Sequence, residues 1–290
     1  MTMRVLLVGM NSFDSGKTQF AIQLSSSLTE GGYSVEYFKP ISGHNYWYKY
    51  EHTKVCLHRG IIVSADAIEV RRAFESRNPI ELANPVHSLF VPMRLEKPLQ
   101  NLTNTLGLAG ASSVLAMERF SRPDASGIET TVLVAQQLLE EERLIIQQDE
   151  AGMLTRGAAI LSVNNLEEVQ EFERLNFERY VSESFTRLES SADITIIEGF
   201  NDAAWPWDGL DTVDAVILIS PAHIFTYDPE RYRKAAYLMN RGNLPIREVT
   251  FGRISDLLKP TSHLEIRPHT DISLSQIETL GISFHTGKKD

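Results

Sequence analysis

The stretch GMNSFDSGKTQF, residues 9–20, contains a candidate phosphate-binding loop. It ends like the phosphate-binding pattern G-x-x-x-x-G-K-[ST] but does not begin like it. The pattern requires its first glycine at position 11, where this chain has Asn11, and the nearest upstream glycine is Gly9. Asparagine tolerates left-handed backbone angles better than most residues. We therefore interpret Asn11 as a variant entry to a phosphate-binding loop.

The segments on either side give this loop the context that a phosphate site needs. The apolar run from Arg4 to Val8 predicts a buried strand before the loop. From Gly16 onward apolar residues recur at helical spacing, and a second short strand is predicted from Ser34 to Phe38. In a strand-loop-helix-strand unit, the helix N-terminus directs backbone N–H groups and the positive end of the helix dipole towards bound phosphate.

A nucleoside triphosphate is the ligand that this loop predicts, with ATP and Mg²⁺ as the expected pair. Lys17 places a cation near the β and γ phosphates, and the Thr18 hydroxyl is a suitable Mg²⁺ ligand. The residues predicted to surround the nucleotide are Asn11, Ser12, Phe13, Asp14, Ser15, Gly16, Lys17, Thr18 and Gln19.

Acidic and basic residues follow other predicted strands. Glu198 ends the strand ITII and precedes a glycine, which is the form of a Walker B acid that holds Mg²⁺. Lys39 follows the second strand, where a lone lysine is most often solvated, although it could hold phosphate or an acidic substrate. Asp66 opens a helix predicted over Ala65 to Phe74, and taken alone it is an ordinary first-turn acid.

The alternation of strands and helices predicts an α/β protein with a mainly parallel sheet flanked by helices. We expect a single domain over residues 1–290, with an extra or divergent helical region at about 95–180. Glu129 to Gln148 is predicted as a helix within that region, and Glu248 to Phe251 as a late strand. Trp205 and Trp207 are expected to pack under a loop.

Composition narrows the class of partner. The 290 residues carry a formal net charge of −10, which argues against nucleic-acid and membrane-surface partners. A single cysteine, Cys56, excludes an intrachain disulfide and is consistent with a cytoplasmic location. No segment has the length of a signal peptide or a membrane span. The eight histidines show no H-x-x-x-H spacing, which argues against a metal hydrolase or a structural metal protein.

Taken together, these segments resemble the dethiobiotin synthetase family, within the dethiobiotin synthetase and MinD-like group of P-loop NTPases. The resemblance rests on the GKT ending and on four further segments in the family's order: KPISG at 39–43, SADA at 64–67, NPIELANP at 78–85 and ITIIEG at 194–199. It covers the chain to about residue 90 and again near 190–220.

The resemblance implies an ATP-dependent ligase or carboxylase of biotin biosynthesis that acts as a homodimer on a small molecule. In that chemistry a diamine takes up CO₂ as a carbamate, ATP phosphorylates the carbamate, and the second amine closes a cyclic urea. Lys17 would stabilise the transferred phosphoryl group, Lys39 would hold the carbamate or phosphoryl group, and Ser42 would assist at the same site. The metal ligands that the family implies are Thr18, Asp66 and Glu198.

Two alternatives remain open from the sequence. One is an amidoligase-like enzyme that phosphorylates another carboxylate, although no Cys/His nucleophile pair marks an accompanying glutaminase domain. The other is a nucleotide-switched partitioning or delivery ATPase, whose loop typically begins K-G-G, whereas this loop begins Met10-Asn11-Ser12.

Overall fold

The structure, a computed structural model, describes residues 2–12, 15–74, 76, 78–95, 113–125, 127–240, 242, 244–267 and 272–284. The chain folds into two compact units. The first unit comprises Met1–Pro40, Asp66–Pro79 and Phe185–Asp290, and the second comprises Ile41–Ala65 and Ile80–Ser184. The single domain predicted over residues 1–290 would require the two units to unfold together, and it stays a prediction.

The described residues form eleven strands: β1 (Met3–Gly9), β2 (Val35–Phe38), β3 (Ile41–Asn45), β4 (Val86–Pro92), β5 (Ser113–Asp124), β6 (Gly127–Val134), β7 (Ala159–Ser162), β8 (Ile194–Glu198), β9 (Ala215–Ser220), β10 (His223–Tyr227) and β11 (Ser262–Glu265). They also form ten α-helices: α1 (Lys17–Glu30), α2 (Tyr50–Arg59), α3 (Ala65–Arg71), α4 (Ile80–Ala83), α5 (Gln136–Glu140), α6 (Gln148–Leu154), α7 (Leu166–Glu189), α8 (Pro229–Met239), α9 (Phe251–Ile254) and α10 (Leu274–Glu278).

The first unit is built on a six-stranded sheet in the order β11-β10-β9-β1-β8-β2. Strands β9, β1, β8 and β2 are parallel to one another, whereas β10 pairs antiparallel with β9 and β11 pairs antiparallel with β10. The second unit has a five-stranded sheet in the order β3-β4-β5-β6-β7, with two parallel and two antiparallel pairings. The α/β class is therefore confirmed, but both sheets are mixed, and the prediction of a mainly parallel sheet is not confirmed.

Local sequence explains the elements next to the GKT stretch. Val5 to Val8 of β1 are fully buried, as a continuous apolar run in a central strand should be. In α1 the buried residues recur at helical spacing and end at Leu28, after which Gly32 takes a positive φ of 87° and ends the helix. The predicted order of strand, loop, helix and strand is confirmed from β1 to β2.

The region between residues 95 and 180 differs most from expectation. Glu129 to Gln148, predicted as one helix, contains most of strand β6 and the short helix α5. The segment ETTVLV is rich in β-branched residues, which favour a strand, and β6 pairs antiparallel with β5 from Asp124 and Gly127 outward. Residues 96–112 lie outside the described part of the chain. The described part of this region therefore contains strands as well as helices, and its longest helix is α7.

Two other predictions have different outcomes. Glu248 to Phe251 is not a strand, because a 3₁₀ turn at Ile246–Glu248 leads into α9 and only Thr250 makes an isolated bridge, to Ala203. Trp205 and Trp207 are buried as expected, and the ring of Trp207 is centred 5.0 Å from the ring of Phe185.

Among the helices of the described residues, none combines the length and the apolar character needed to cross a bilayer. The longest helix, α7, carries charged residues throughout its length.

Candidate functional site

The carboxyl ends of β1, β8 and β2 meet at one edge of the first sheet. Leu7 of β1 is level with Glu198 of β8, and Phe38 of β2 is level with Ile197. Lys39 follows Phe38 directly and therefore reaches the same edge as Glu198 and the loop after β1. Open α/β sheets bind ligands outside the carboxyl ends of their strands.

The loop after β1 closes around the side chain of Lys17. The Lys17 amine donates hydrogen bonds to the carbonyl oxygen of Asn201 at 2.5 Å and to Ser15 Oγ at 3.2 Å. A Cβ atom on Gly9 would lie 2.5 Å from Lys17 Nζ, so any larger residue here would force the Lys17 amine to move. Gly16, with a φ of 88°, occupies the left-handed region and starts α1. Burial lowers the pKa of Lys17, against the opposing effect of Glu198.

A buried cluster of charge lies around Glu198. Its carboxylate accepts hydrogen bonds from Lys39 Nζ at 2.8 Å and from the Tyr37 hydroxyl at 2.8 Å. The Thr18 hydroxyl lies 3.4 Å from Glu198 Oε1. Lys39 also forms an ion pair with Asp66, so one ammonium group bridges two carboxylates. Glu198 is 1% exposed and Lys39 is 6% exposed, so this pair is held out of water, whereas the side chain of Asp66 is 40% exposed.

The electrostatics follow from this pairing. Burial by itself would lower the pKa of Lys39, but Glu198 and Asp66 outweigh it and raise that pKa above its ordinary value. Burial, reinforced by Glu198, raises the pKa of Tyr37 far above its usual value. Lys39 is therefore a permanent cation and Tyr37 a permanent hydrogen-bond donor at neutral pH.

The donor set suits a hard divalent cation. The Glu198 and Asp66 carboxylates and the Thr18 hydroxyl are oxygen ligands of the kind that Mg²⁺ prefers. Lys39 already supplies positive charge to both carboxylates, which shows that the two acids converge on one position. The residues present thus fit Mg²⁺, and the glycine-lined loop around Lys17 fits a phosphate group.

The remaining predicted residues lie outside this cluster or contribute little to it. Asn11, Ser12 and Gln19 are exposed, with Ser12 Oγ donating to Asp202 at 3.0 Å. Phe13 and Asp14 lie outside the described residues.

Ser42 belongs to the second unit. It lies in β3 next to His87 of β4, and its hydroxyl is 3.0 Å from Asn84 Oδ1 and 2.6 Å from His87 Nδ1. In that unit it is one member of a buried polar chain.

Sequence reasoning missed two residues that the structure brings to the cluster. Tyr37 precedes Lys39 by two positions, and alternation along an extended segment places both side chains on one face. This alternation could have predicted Tyr37 from the sequence. The Asn201 carbonyl oxygen, which binds Lys17, is a backbone atom in a loop where Asn201 has a positive φ of 49°, and no sequence pattern indicated it.

Comparison of the chain with protein-family models, with curated proteins and with solved structures found no match. The site geometry and the sequence motifs are therefore the grounds on which a function can be proposed.

Proposed function

We propose that the first unit is a P-loop NTPase site that binds Mg-ATP and phosphorylates a carbamate or carboxylate, as in the dethiobiotin synthetase family that the chain resembles. The observation that supports this most is the arrangement at one sheet edge. Lys17 lies in a glycine-lined loop at the start of α1, and Lys39 bridges Glu198 and Asp66 close to Thr18.

Lys17 is proposed to bind the β and γ phosphates. Its buried amine now donates to a carbonyl oxygen and a hydroxyl oxygen. A phosphate would replace these neutral acceptors with charged oxygens, and charge-assisted hydrogen bonds are about twice as strong as neutral ones. The N-terminal amides of α1 would add further donors to the same phosphate.

Lys39 is proposed to hold the acceptor or the transferred phosphoryl group. Thr18, Asp66 and Glu198 would hold Mg²⁺, which neutralises phosphate charge when bound. Asp66 and Glu198 can pair either with Lys39 or with a divalent cation. Lys39 can in turn pair with an anionic acceptor, and phosphoryl transfer demands chiefly such charge neutralisation and positioning.

The acceptor is proposed to be a small amine, through its carbamate, or a small carboxylate. The role of Ser42 at the acceptor and the homodimeric state rest on the resemblance of the KPISG segment and of the chain as a whole. Light scattering of the purified protein tests the dimer.

Phosphate release from Mg-ATP tests the proposal, measured with and without 7,8-diaminopelargonate and bicarbonate. We expect release that requires both additions and falls about 100-fold or more in Lys17→Ala and Glu198→Gln. Lys234→Ala, which removes an exposed lysine of the same unit, is the matched control and should retain full activity. ATP binding without any response to the additions would favour another acceptor or a nucleotide switch. Full activity in both site variants would exclude the site.

A further inference from the structure

The second unit contains a cluster of nitrogen and sulfur ligands that the proposed function does not use. His44 of β3 and His52 and Cys56 of α2 each offer one ligand atom, and these atoms lie within 4.8 Å of one another. Cys56 is fully buried, His44 is 8% exposed, and the two imidazole rings lie 4.8 Å apart between centroids. His52 and Cys56 are four residues apart on one helix, so they share a face.

A chain of hydrogen bonds that starts at Asn84 and ends at His44 determines which ring nitrogen of each histidine carries the proton. The Asn84 amide nitrogen donates to the Val86 carbonyl oxygen at 3.1 Å, and Asn84 Oδ1 accepts from the Ser64 N–H at 3.0 Å. The side facing Ser42 is therefore an acceptor. Ser42 donates its only hydroxyl proton to this oxygen, at 3.0 Å, and can only accept from His87.

The same donor-to-acceptor order extends through His87 to His44. His87 donates its Nδ1–H to Ser42 Oγ at 2.6 Å, so the neutral form of this ring has its lone pair on Nε2. His44 Nδ1–H then donates to His87 Nε2 at 2.7 Å, and the lone pair of His44 is left on Nε2. A ligating histidine is characteristically oriented by such a bond from its other nitrogen.

The Thr53 hydroxyl does not block this lone pair. Thr53 Oγ1 lies 3.2 Å from His44 Nε2 and 3.3 Å from the Lys49 carbonyl oxygen. It can donate to that carbonyl whenever His44 Nε2 takes another partner.

The distance between His52 Nε2 and Cys56 Sγ matches that of two ligands around one ion. Cys56 Sγ lies 3.5 Å from His52 Nε2, and the Val63 carbonyl oxygen lies 2.7 Å from His52 Nε2 and 3.8 Å from Cys56 Sγ. Zn–N bonds of about 2.0–2.1 Å and Zn–S bonds of about 2.3 Å place tetrahedral neighbours roughly 3.3–3.7 Å apart. The Val63 carbonyl oxygen instead accepts the His52 Nε2–H, a hydrogen bond that zinc binding at Nε2 would replace.

We propose that His44, His52 and Cys56 form a Zn²⁺ site in the second unit. One thiolate and two imidazoles select zinc over magnesium or calcium, which prefer oxygen ligands. Binding releases the Cys56 thiol proton to solvent, and the His52 ring proton moves to Nδ1 if Nε2 is the ligand. The ion would tie β3 to α2, which gives it a structural role. The inference does not depend on the proposed ATP-dependent activity.

Metal content and a cobalt titration of the full-length, reduced protein test this site. We expect one Zn²⁺ per chain after dialysis. We also expect a Co²⁺ complex with a near-ultraviolet thiolate-to-cobalt charge-transfer band that Zn²⁺ abolishes. Cys56→Ser should remove that band and weaken Zn²⁺ binding by about 100-fold or more. His87→Gln should weaken binding by about 10–100-fold and keep the band, because His87 only orients His44.

The control is His58→Gln, which changes an exposed histidine of the same helix and should bind Zn²⁺ like the wild type. Far-UV circular dichroism of the metal-free variants shows whether each one folds. Zinc-edge X-ray absorption of the wild type, which needs no variant, should show one sulfur and two imidazole ligands. Substoichiometric zinc that a mild chelator removes, or a charge-transfer band that persists in Cys56→Ser, would overturn the proposal.

Discussion

At the scale of single residues, charge pairing decides which side chains can occupy the buried edge of the first sheet. Glu198 is buried in a strand end, where an isolated carboxylate would be strongly disfavoured. Lys39 and Tyr37 supply the cation and the hydroxyl that make it tolerable. Such a pair is weak evidence for stability, but breaking it by removing one partner is costly.

Lys39→Met should therefore destabilise the protein by about 3 kcal/mol at pH 7, because it leaves Glu198 buried without its cation. The raised pKa of Lys39 means that its contribution is fully present below the unfolded pKa near 10.5 and is lost only as pH rises through the still higher folded value. Urea denaturation at pH 7 measures the difference. Mg²⁺ should stabilise the variant more than the wild type, since both carboxylates are then available. Equal stability of the two proteins would contradict this account.

Gly9→Ala should impair nucleotide binding for a steric reason. The new Cβ would lie 2.5 Å from Lys17 Nζ and 2.7 Å from Ser15 Oγ, which forces the Lys17 amine from its position. We expect ATP affinity, measured by calorimetry, to fall about 10-fold or more, together with about 1–3 kcal/mol of stability.

Gly32→Ala is the matched control for this substitution. Gly32 has a φ of 87° with nothing within 4 Å of an added Cβ. It should cost about 1–2 kcal/mol of stability through backbone strain and leave ATP affinity unchanged. If both alanine variants lost affinity equally, steric contact with Lys17 would not be the cause.

At the scale of elements, β2 and β8 are joined at their starts by a polar clamp formed by Ser34 and Asp193. Asp193 Oδ2 accepts hydrogen bonds from the Ser34 N–H at 2.9 Å and the Ser34 hydroxyl at 2.6 Å. The Asp193 N–H donates back to Ser34 Oγ at 2.9 Å. The clamp holds the register in which Val35 lies opposite Ile194, and this register carries Lys39 and Glu198 to the same edge.

Asp193→Asn should lower the free energy of unfolding by at most about 1 kcal/mol, because the carboxylate is exposed and screened by solvent. The side-chain hydrogen bond from Ser34 lowers the pKa of Asp193. The stability it contributes is therefore present above the unfolded pKa near 3.8 and is lost as pH falls through the folded value. Urea denaturation between about pH 7 and pH 3.5 should show the two proteins converging at the acid end. Asp256→Asn, at an exposed position, serves as control, and a difference that grows on acidification would refute the clamp.

At the scale of the whole molecule, the chain passes four times between the two units, at residues 40–41, 65–66, 79–80 and 184–185. Neither unit can be completed from one continuous segment. The single domain predicted from the sequence therefore means that the two units unfold cooperatively. We expect one unfolding transition, in which tryptophan fluorescence and far-UV circular dichroism coincide.

A Trp47→Phe variant lacks the exposed tryptophan of the second unit. Its fluorescence therefore comes from the buried Trp205 and Trp207 of the first unit, whereas circular dichroism reports on both units. Saturating Mg-ATP should shift both signals by the same amount, since a ligand stabilises everything that unfolds with its site. Two transitions, of which only the fluorescence transition moves with nucleotide, would show that the units unfold independently.

Much of the first unit could be predicted from its sequence because the signals are local. Apolar runs predicted β1 and β8, helical spacing predicted α1, and a glycine-containing turn placed Lys17 at a helix start. The candidate acid Glu198 was also visible, as a carboxylate that ends an apolar strand. Each of these features depends on residues within a few positions of one another, so periodicity and turn chemistry suffice.

Other features were decided only by tertiary structure, because they depend on residues far apart in the chain. Lys39 alone predicted a solvated lysine, and Asp66 alone an ordinary helix-start acid. The register of the sheet and the path of the chain bring both residues to Glu198 and bury Lys39. The cluster of His44, His52 and Cys56 likewise exists only because β3 and α2 pack together. Sequence therefore determined the local elements and the GKT loop, whereas strand pairing across long separations determined which charged and ligating groups meet.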